Sequence, residues 1–213
     1  EPVFSSIKLV HVFIKFCARK AEKMVDNKFL YFGYGSNMLL KKLRNDGSDD
    51  RPKRCPSAEY KCNCWVENYE FSFGKKSIDH SGKCNITSTN NEKNMVYGVL
   101  FSIPEDERGD LTNCEGANST SPTGYKIIQD FIVSTEKTDE FPDGKAKAVT
   151  YIAKGAGTDD KNREPYDWYK DQVVKGAEDY ELPLWYVEKI KNDFTVKPDP
   201  DKVRATREQK YLS

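Results

Sequence analysis

Five stretches of the chain alternate apolar and polar positions, or run apolar throughout, over lengths that suit β-strands. They are FLYFGY (29–34), YKCNCWVENYEFSF (60–73), MVYGVLFSI (95–103), YKIIQDFIVS (125–134) and KAVTYIA (147–153). Tyr, Phe, Val and Ile enrich them, and Gly, Asn, Ser, Asp and Pro fill the segments between, as turn geometry requires. Within the second stretch Tyr60, Cys62, Cys64 and Val66 recur at period two and share one face of the strand. Several connections are too short for the crossover that a parallel pair needs, so the pattern predicts a mixed or largely antiparallel closed sheet.

Helical spacing appears in three places. The tetrapeptide SIPE (102–105) reads as a capping box, with Ser102 as cap, Glu105 three residues on and Pro104 tolerated in the first turn. That helix is expected to stop at Gly116, and Gly109 in its middle costs about 1 kcal/mol against Ala, so packing must hold it. A second pair is expected over 164–179 and 183–194, where Trp168, Tyr169, Val173 and Val174, then Trp185, Val187, Ile190 and Phe194, form apolar stripes. From Val196 onward Pro, Lys, Asp and Arg predominate, and 197–213 reads as a charged, solvated tail.

Composition narrows the function classes. Lys and Arg number 34 and are balanced by 34 Asp and Glu, so no single-sign field favours nucleic acid or an anionic membrane. The apolar run IKLVHVFIKF (7–16) is interrupted by Lys8, His11 and Lys15, too short and too charged to span a bilayer. Residues 1–25 are therefore expected to lie outside a core domain covering 26–196. Six cysteines at 17, 55, 62, 64, 84 and 114 follow no disulfide framework and read as reduced thiols. With only two histidines, 11 and 80, the Cys62–Cys64 pair lacks the second ligand pair of a zinc site, and no metal is expected.

The stretch FLYFGYGSNM (29–38) poses the chemical question. A Gly-Tyr-Gly-Ser-Asn tip after an apolar strand can turn successive N–H groups toward one point and hold an anion such as a carboxylate. It is neither a Walker loop, which ends Gly-Lys-Ser/Thr, nor a dinucleotide fingerprint, which needs a third glycine opening a helix. Nor is Ser36 set in a nucleophile elbow, and neither histidine lies where it would activate that hydroxyl. Taken alone, the tip also reads as an ordinary glycine-rich turn, and Glu115 as a solvated acid at a helix end.

FLYFGYGSNML resembles the signature of the gamma-glutamylcyclotransferase family, an aromatic strand leading into Tyr34, Gly35, Ser36 and Asn37. Further likenesses follow in order: LTNCEG (111–116) carrying Glu115, TGYK with Tyr125, and PYDWYKDQVVKGAEDYELP (165–183) with Tyr169. The resemblance spans roughly residues 29–195. It implies an α+β fold, a small mixed, largely antiparallel β-barrel with flanking helices. It also implies no cofactor, and conversion of a gamma-glutamyl amino acid to 5-oxoproline and a free amino acid. Glu115 is implied as the catalytic acid–base group, and Tyr31, Phe32, Gly33, Tyr34, Gly35, Ser36, Asn37, Tyr125 and Tyr169 as the substrate-binding set.

The chemistry is an internal displacement, the substrate's α-amine attacking its own γ-carbonyl. Folding the substrate supplies much of the acceleration, since oriented intramolecular reactions gain roughly 7 to 11 kcal/mol at the upper end. One carboxylate can take the proton of the α-ammonium and return it to the leaving nitrogen. The expected partner is a small gamma-glutamyl compound, with no nucleic acid and no membrane, and a homodimer is left open. The expected compartment is the cytoplasm, with a truncated N-terminal secretion signal left open. Glutathione or a gamma-glutamylamine as substrate, and a non-catalytic binding module on the same fold, are the alternative readings.

Overall fold

The computed structural model describes residues 27–45, 54–155 and 163–213. The expected extension 1–25 lies outside the described residues. Five strands close a barrel in the order β1 (Lys28–Gly33), β5 (Met95–Pro104), β2 (Glu59–Glu67), β6 (Tyr125–Thr135) and β7 (Lys145–Ala153). Every neighbouring pair is antiparallel except β7 with β1, where Tyr31 sits beside Val149 in parallel register and shuts the barrel. Such closure leaves β1 no free edge and buries Tyr31 to Gly33 continuously, which is why the segment reads as an apolar run.

The long stretch 60–73 is two strands, β2 and β3 (Tyr69–Lys76), broken at Asn68, whose φ of 62° is a conformation Asn tolerates. Past that break β3 leaves the barrel and pairs with β4 (Gly82–Ser88) in a separate two-stranded sheet. Strand β4 was not anticipated: Lys83 and Asn85 alternate with Cys84 and Ile86 over only four residues, too brief a run to stand out beside the flanking Gly, Thr and Ser. Phe71 and Phe73 of β3 meet Phe194 edge-on, with ring centroids 5.7 and 5.1 Å apart, and so dock the small sheet on the helical layer.

Ser102 does not cap a helix. It is buried in β5 opposite Leu30, and the ladder runs on to Pro104, so strand pairing overrides a capping box that is sound as local chemistry. The helix α2 begins only at Arg108 and ends at Cys114, after a 3-10 turn over Glu105–Glu107. Gly116, at φ +64°, terminates it in the left-handed conformation expected of a residue just past a helix end. A short helix α1 (Leu40–Arg44) follows the strand-tip turn, while α3 (Asp167–Asp179) and α4 (Leu184–Asn192) match the two expected late helices.

The charged segment 197–213 is not a solvated tail. It forms α5 (Lys202–Gln209), capped by the Asp201 carboxylate on the Arg204 N–H, and buries Asp199, Glu208 and Tyr211. Its charges are admitted because each finds a partner: Arg204 grips Asp199, which also accepts from the Trp168 indole at 2.9 Å, and Glu208 meets Lys42 at 3.3 Å. Among the described residues no helix is long and apolar enough to cross a membrane.

Candidate active site

The tip that follows β1 becomes a single 3-10 turn, Ser36–Met38, closed by the Met38 N–H on the Gly35 carbonyl at 2.9 Å. Gly35 owes its place to crowding, since a Cβ there would stand 2.9 Å from Cβ of Cys84 and 3.1 Å from its sulfur. Among the described residues no backbone carbonyl takes the N–H groups of Gly35, Ser36 or Asn37. The Ser36 N–H faces the Cys84 thiol, a weak acceptor. Helix α3 braces the turn from behind, where Gly176 permits contact with the Leu39 backbone and Met38.

Glu115 caps the C-terminal end of α2 and reaches the same place. Its Oε1 accepts from Asn37 Nδ2 at 2.8 Å, while the other hydrogen of that amide goes to the Tyr31 hydroxyl at 2.9 Å. The Asn37 carbonyl oxygen in turn accepts from Arg54 at 3.2 Å, and the guanidinium stands 3.9 Å from Glu115. An acid 78 residues from the strand tip is thus tied to it through one amide, with 15% of its side chain exposed to the cavity.

The cavity holding these groups measures about 590 Å³ and is lined by Tyr31, Tyr34, Gly35, Ser36, Asn37, Glu115, Tyr125 and Tyr169 among others. Eight of the ten expected site residues therefore share one hollow. Phe32 and Gly33 do not. Phe32 is fully buried against Phe131 and Tyr34, and both residues belong to the β1–β5 ladder opposite Leu100 and Val99. Neither of them is among the residues that line the cavity.

The tyrosines are committed to holding the walls. Tyr34 donates to the Tyr151 carbonyl at 2.5 Å, Tyr125 to the Cys84 carbonyl at 2.7 Å, and Tyr169 accepts from the Cys84 N–H at 3.2 Å. Burial keeps all of them protonated, and Glu115 adds to the effect at Tyr31, Tyr34 and Tyr125. Tyr31, like Tyr169, accepts: its oxygen takes the Asn37 amide, which leaves its own hydrogen for a group in the cavity.

Several lining residues were not anticipated: Lys42, Arg54, Lys75, Lys83, Cys84 and Tyr151. Lys42 lies beneath the turn, bonded to Gln172 and to Glu208, with its ammonium 5.4 to 5.8 Å from the rings of Trp168, Tyr169 and Tyr211. Burial brings its pKa down to about 8, against the upward pull of Glu208. Lys83 lies 4.5 Å from the Tyr169 ring and pairs with Asp79 at 3.1 Å. A lysine in a polar stretch signals nothing by itself, and only the β3–β4 register brings these two strands' lysines to the cavity.

A closed five-stranded barrel with a strand-tip turn and one carboxylate facing it defines the class, and a family model described as the AIG2-like family matches residues 95–190. The human gamma-glutamylcyclotransferase is 26% identical over 181 residues, 81% of this chain and 84% of that protein. The mouse gamma-glutamylcyclotransferase is 27% identical over 168 residues, 76% and 77% of the two chains. A solved structure of a gamma-glutamyl cyclotransferase superposes with a TM-score of 0.60 at 26% identity, covering 85% of this chain and 99% of the other. YkqA of Bacillus subtilis shares the fold, with a TM-score of 0.61 at 20% identity over 85% of this chain and 60% of its own. Over most of its length the chain is thus similar to gamma-glutamylcyclotransferases.

Proposed function

We infer that the chain is a gamma-glutamylcyclotransferase, turning gamma-glutamyl amino acids into 5-oxoproline and the free amino acid. The observation that carries the reading is the 2.8 Å bond between Asn37 of the strand-tip turn and Glu115 at the end of α2, within one cavity. This chemistry needs an anion-holding turn and a proton carrier within one substrate length of each other, and the Asn37–Glu115 bond supports that reading.

In the proposed mechanism the glutamyl α-carboxylate lies on the N–H groups of Gly35 to Asn37, and that grip curls the chain so that amine and γ-carbonyl meet. Glu115 takes a proton from the α-ammonium, and the freed amine forms the new C–N bond at the γ-carbon. The carbonyl electron pair moves to oxygen, where the uncommitted hydroxyl hydrogen of Tyr31 supplies a donor. Collapse of this intermediate re-forms the carbonyl and breaks the original amide C–N bond; Glu115 gives its proton to the departing nitrogen, then takes the second proton of the ring nitrogen, which leaves the neutral lactam, and passes that proton to the freed amine or to solvent. Asn37 fixes the carboxylate's position, and Arg54 fixes Asn37.

Glu115→Gln keeps the shape of the side chain and removes its basicity. Purified protein given gamma-glutamyl-alanine should release 5-oxoproline, and the Gln variant should lose at least a hundredfold in kcat with an unchanged melting temperature, in keeping with general-base contributions of about 10² to 10⁴. Normal turnover by the variant would exclude Glu115 as the proton carrier. Absence of 5-oxoproline from the unmodified protein would exclude the activity.

A further inference from the structure

The charges around the cavity do not cancel evenly. Its lining carries five cations, Lys42, Arg54, Lys75, Lys83 and Arg204. Four of them stand against an acid: Lys42 with Glu208 at 3.3 Å, Lys83 with Asp79 at 3.1 Å, Arg204 with Asp199 at 2.5 Å, and Arg54 with Glu115 at 3.9 Å. Lys75 has no carboxylate within ion-pair distance among the described residues. Its ammonium instead rests 4.9 Å from the centroid of the Tyr125 ring.

The position is unfavourable for a lysine. Lys75 and Lys83 stand directly opposite each other in the antiparallel register of β3 and β4, where like charges oppose pairing. Lys75 is also half-buried, and desolvation and Lys83 lower its pKa against the upward pull of Glu115 across the cavity and of Asp79. A cation kept in a confined, partly desolvated position without a partner is one that a ligand's anion would complete.

The proposed reaction supplies that anion. Once the glutamyl α-carboxylate is on the strand-tip turn and the reacting nitrogens are at Glu115, the next negative charge in a gamma-glutamyl amino acid is the carboxylate one carbon beyond the leaving nitrogen. Resting on the cyclotransferase reading, we propose that Lys75 is a specificity-determining residue that binds the carboxylate of the leaving amino acid. The ring of Tyr125, itself anchored to the Cys84 carbonyl, holds the ammonium in place. Gamma-glutamylamines, which lack that carboxylate, leave Lys75 unpaired and are poor substrates.

Gamma-glutamyl-alanine and gamma-glutamylethylamide differ only in the leaving-side carboxylate, so the ratio of their kcat/KM values reads the contact directly. The unmodified protein should favour the alanine compound. Lys75→Gln should shrink the ratio by about tenfold to a hundredfold, the range for a hydrogen bond to a charged group, and Lys75→Arg should retain most of it. An unchanged ratio in Lys75→Gln overturns the proposal, including the case where both substrates lose equally, which would place Lys75 on the glutamyl carboxylate or on Glu115. If the unmodified protein cyclises neither compound, the cyclotransferase reading fails and calorimetric binding decides the role of Lys75. Weakening of the alanine compound alone in Lys75→Gln supports the contact. Equal weakening of both, no weakening, or no binding of either overturns it.

Discussion

Asn37 carries more of the site than its place in a turn suggests. Both hydrogens of its amide are used, on Glu115 and on Tyr31, and its oxygen takes Arg54. Removing the amide frees Arg54, already 3.9 Å from Glu115, to close a direct ion pair that would hold the carboxylate away from the reacting nitrogens. Asn37→Ala is therefore expected to lower kcat about tenfold to a hundredfold with a smaller change in KM, since the lost bonds position the proton carrier. Steady-state kinetics beside a melting curve checks this. A rise in KM alone would make Asn37 a ligand of the glutamyl carboxylate rather than the clamp on Glu115. The turn residues and Glu115 stood out in the sequence only through the contiguous motifs that carry the family resemblance, since alone they read as an ordinary turn and a solvated acid. Lys75, Lys83 and Arg54 did not, because a lone cation shows no pattern until the sheet register or a neighbouring loop brings it to the cavity.

At the scale of elements, helix α3 against the strand-tip turn is the contact that fixes the site. Gly176 in the interior of α3 would cost about 1 kcal/mol against Ala in an isolated helix. Here that gain is overruled: an added Cβ would stand 2.9 Å from the Leu39 nitrogen and 2.9 Å from the Met38 Cβ, and backbone cannot move aside cheaply. Gly176→Ala is expected to destabilise the fold by about 1 to 3 kcal/mol, as overpacking does, and to raise KM by displacing the turn. A variant more stable than the parent, measured by urea unfolding, would mean that the helix stands off from the turn. Both late helices, and the barrel strands apart from their ends, were readable from periodicity because each buries one face or lies wholly inside. The 102–116 helix was misread at its start for a physical reason. A capping box is a local signal, and the ladder from Leu30–Ser102 to Lys28–Pro104 is a non-local one that outweighs it.

For the molecule as a whole, the interior is a store of protons that the unfolded chain would release in alkali. Burial pushes the thiols of Cys55 and Cys84 up to about 12, and the Tyr151 hydroxyl also to about 12. A group whose pKa is raised by folding lends stability that is fully present below its unfolded value and lost as the pH climbs through its folded one. Each such thiol should therefore withdraw about 1.4 kcal/mol per pH unit from about pH 9 upward. Lys42 acts in the opposite sense. Its pKa falls to about 8 on folding, so between there and 10.5 the unfolded chain binds the extra proton and stability rises with pH at the same slope. Lys42 acts first, just above pH 8; the raised thiols, Cys62 and Cys64 as well as Cys55 and Cys84, outweigh the lysines above pH 9, and tyrosines join beyond 10. The urea midpoint should accordingly peak between about pH 8 and 9 and fall steadily by pH 11. A midpoint still climbing at pH 11 would contradict burial of the thiols, including Cys84, against which the strand-tip turn is packed.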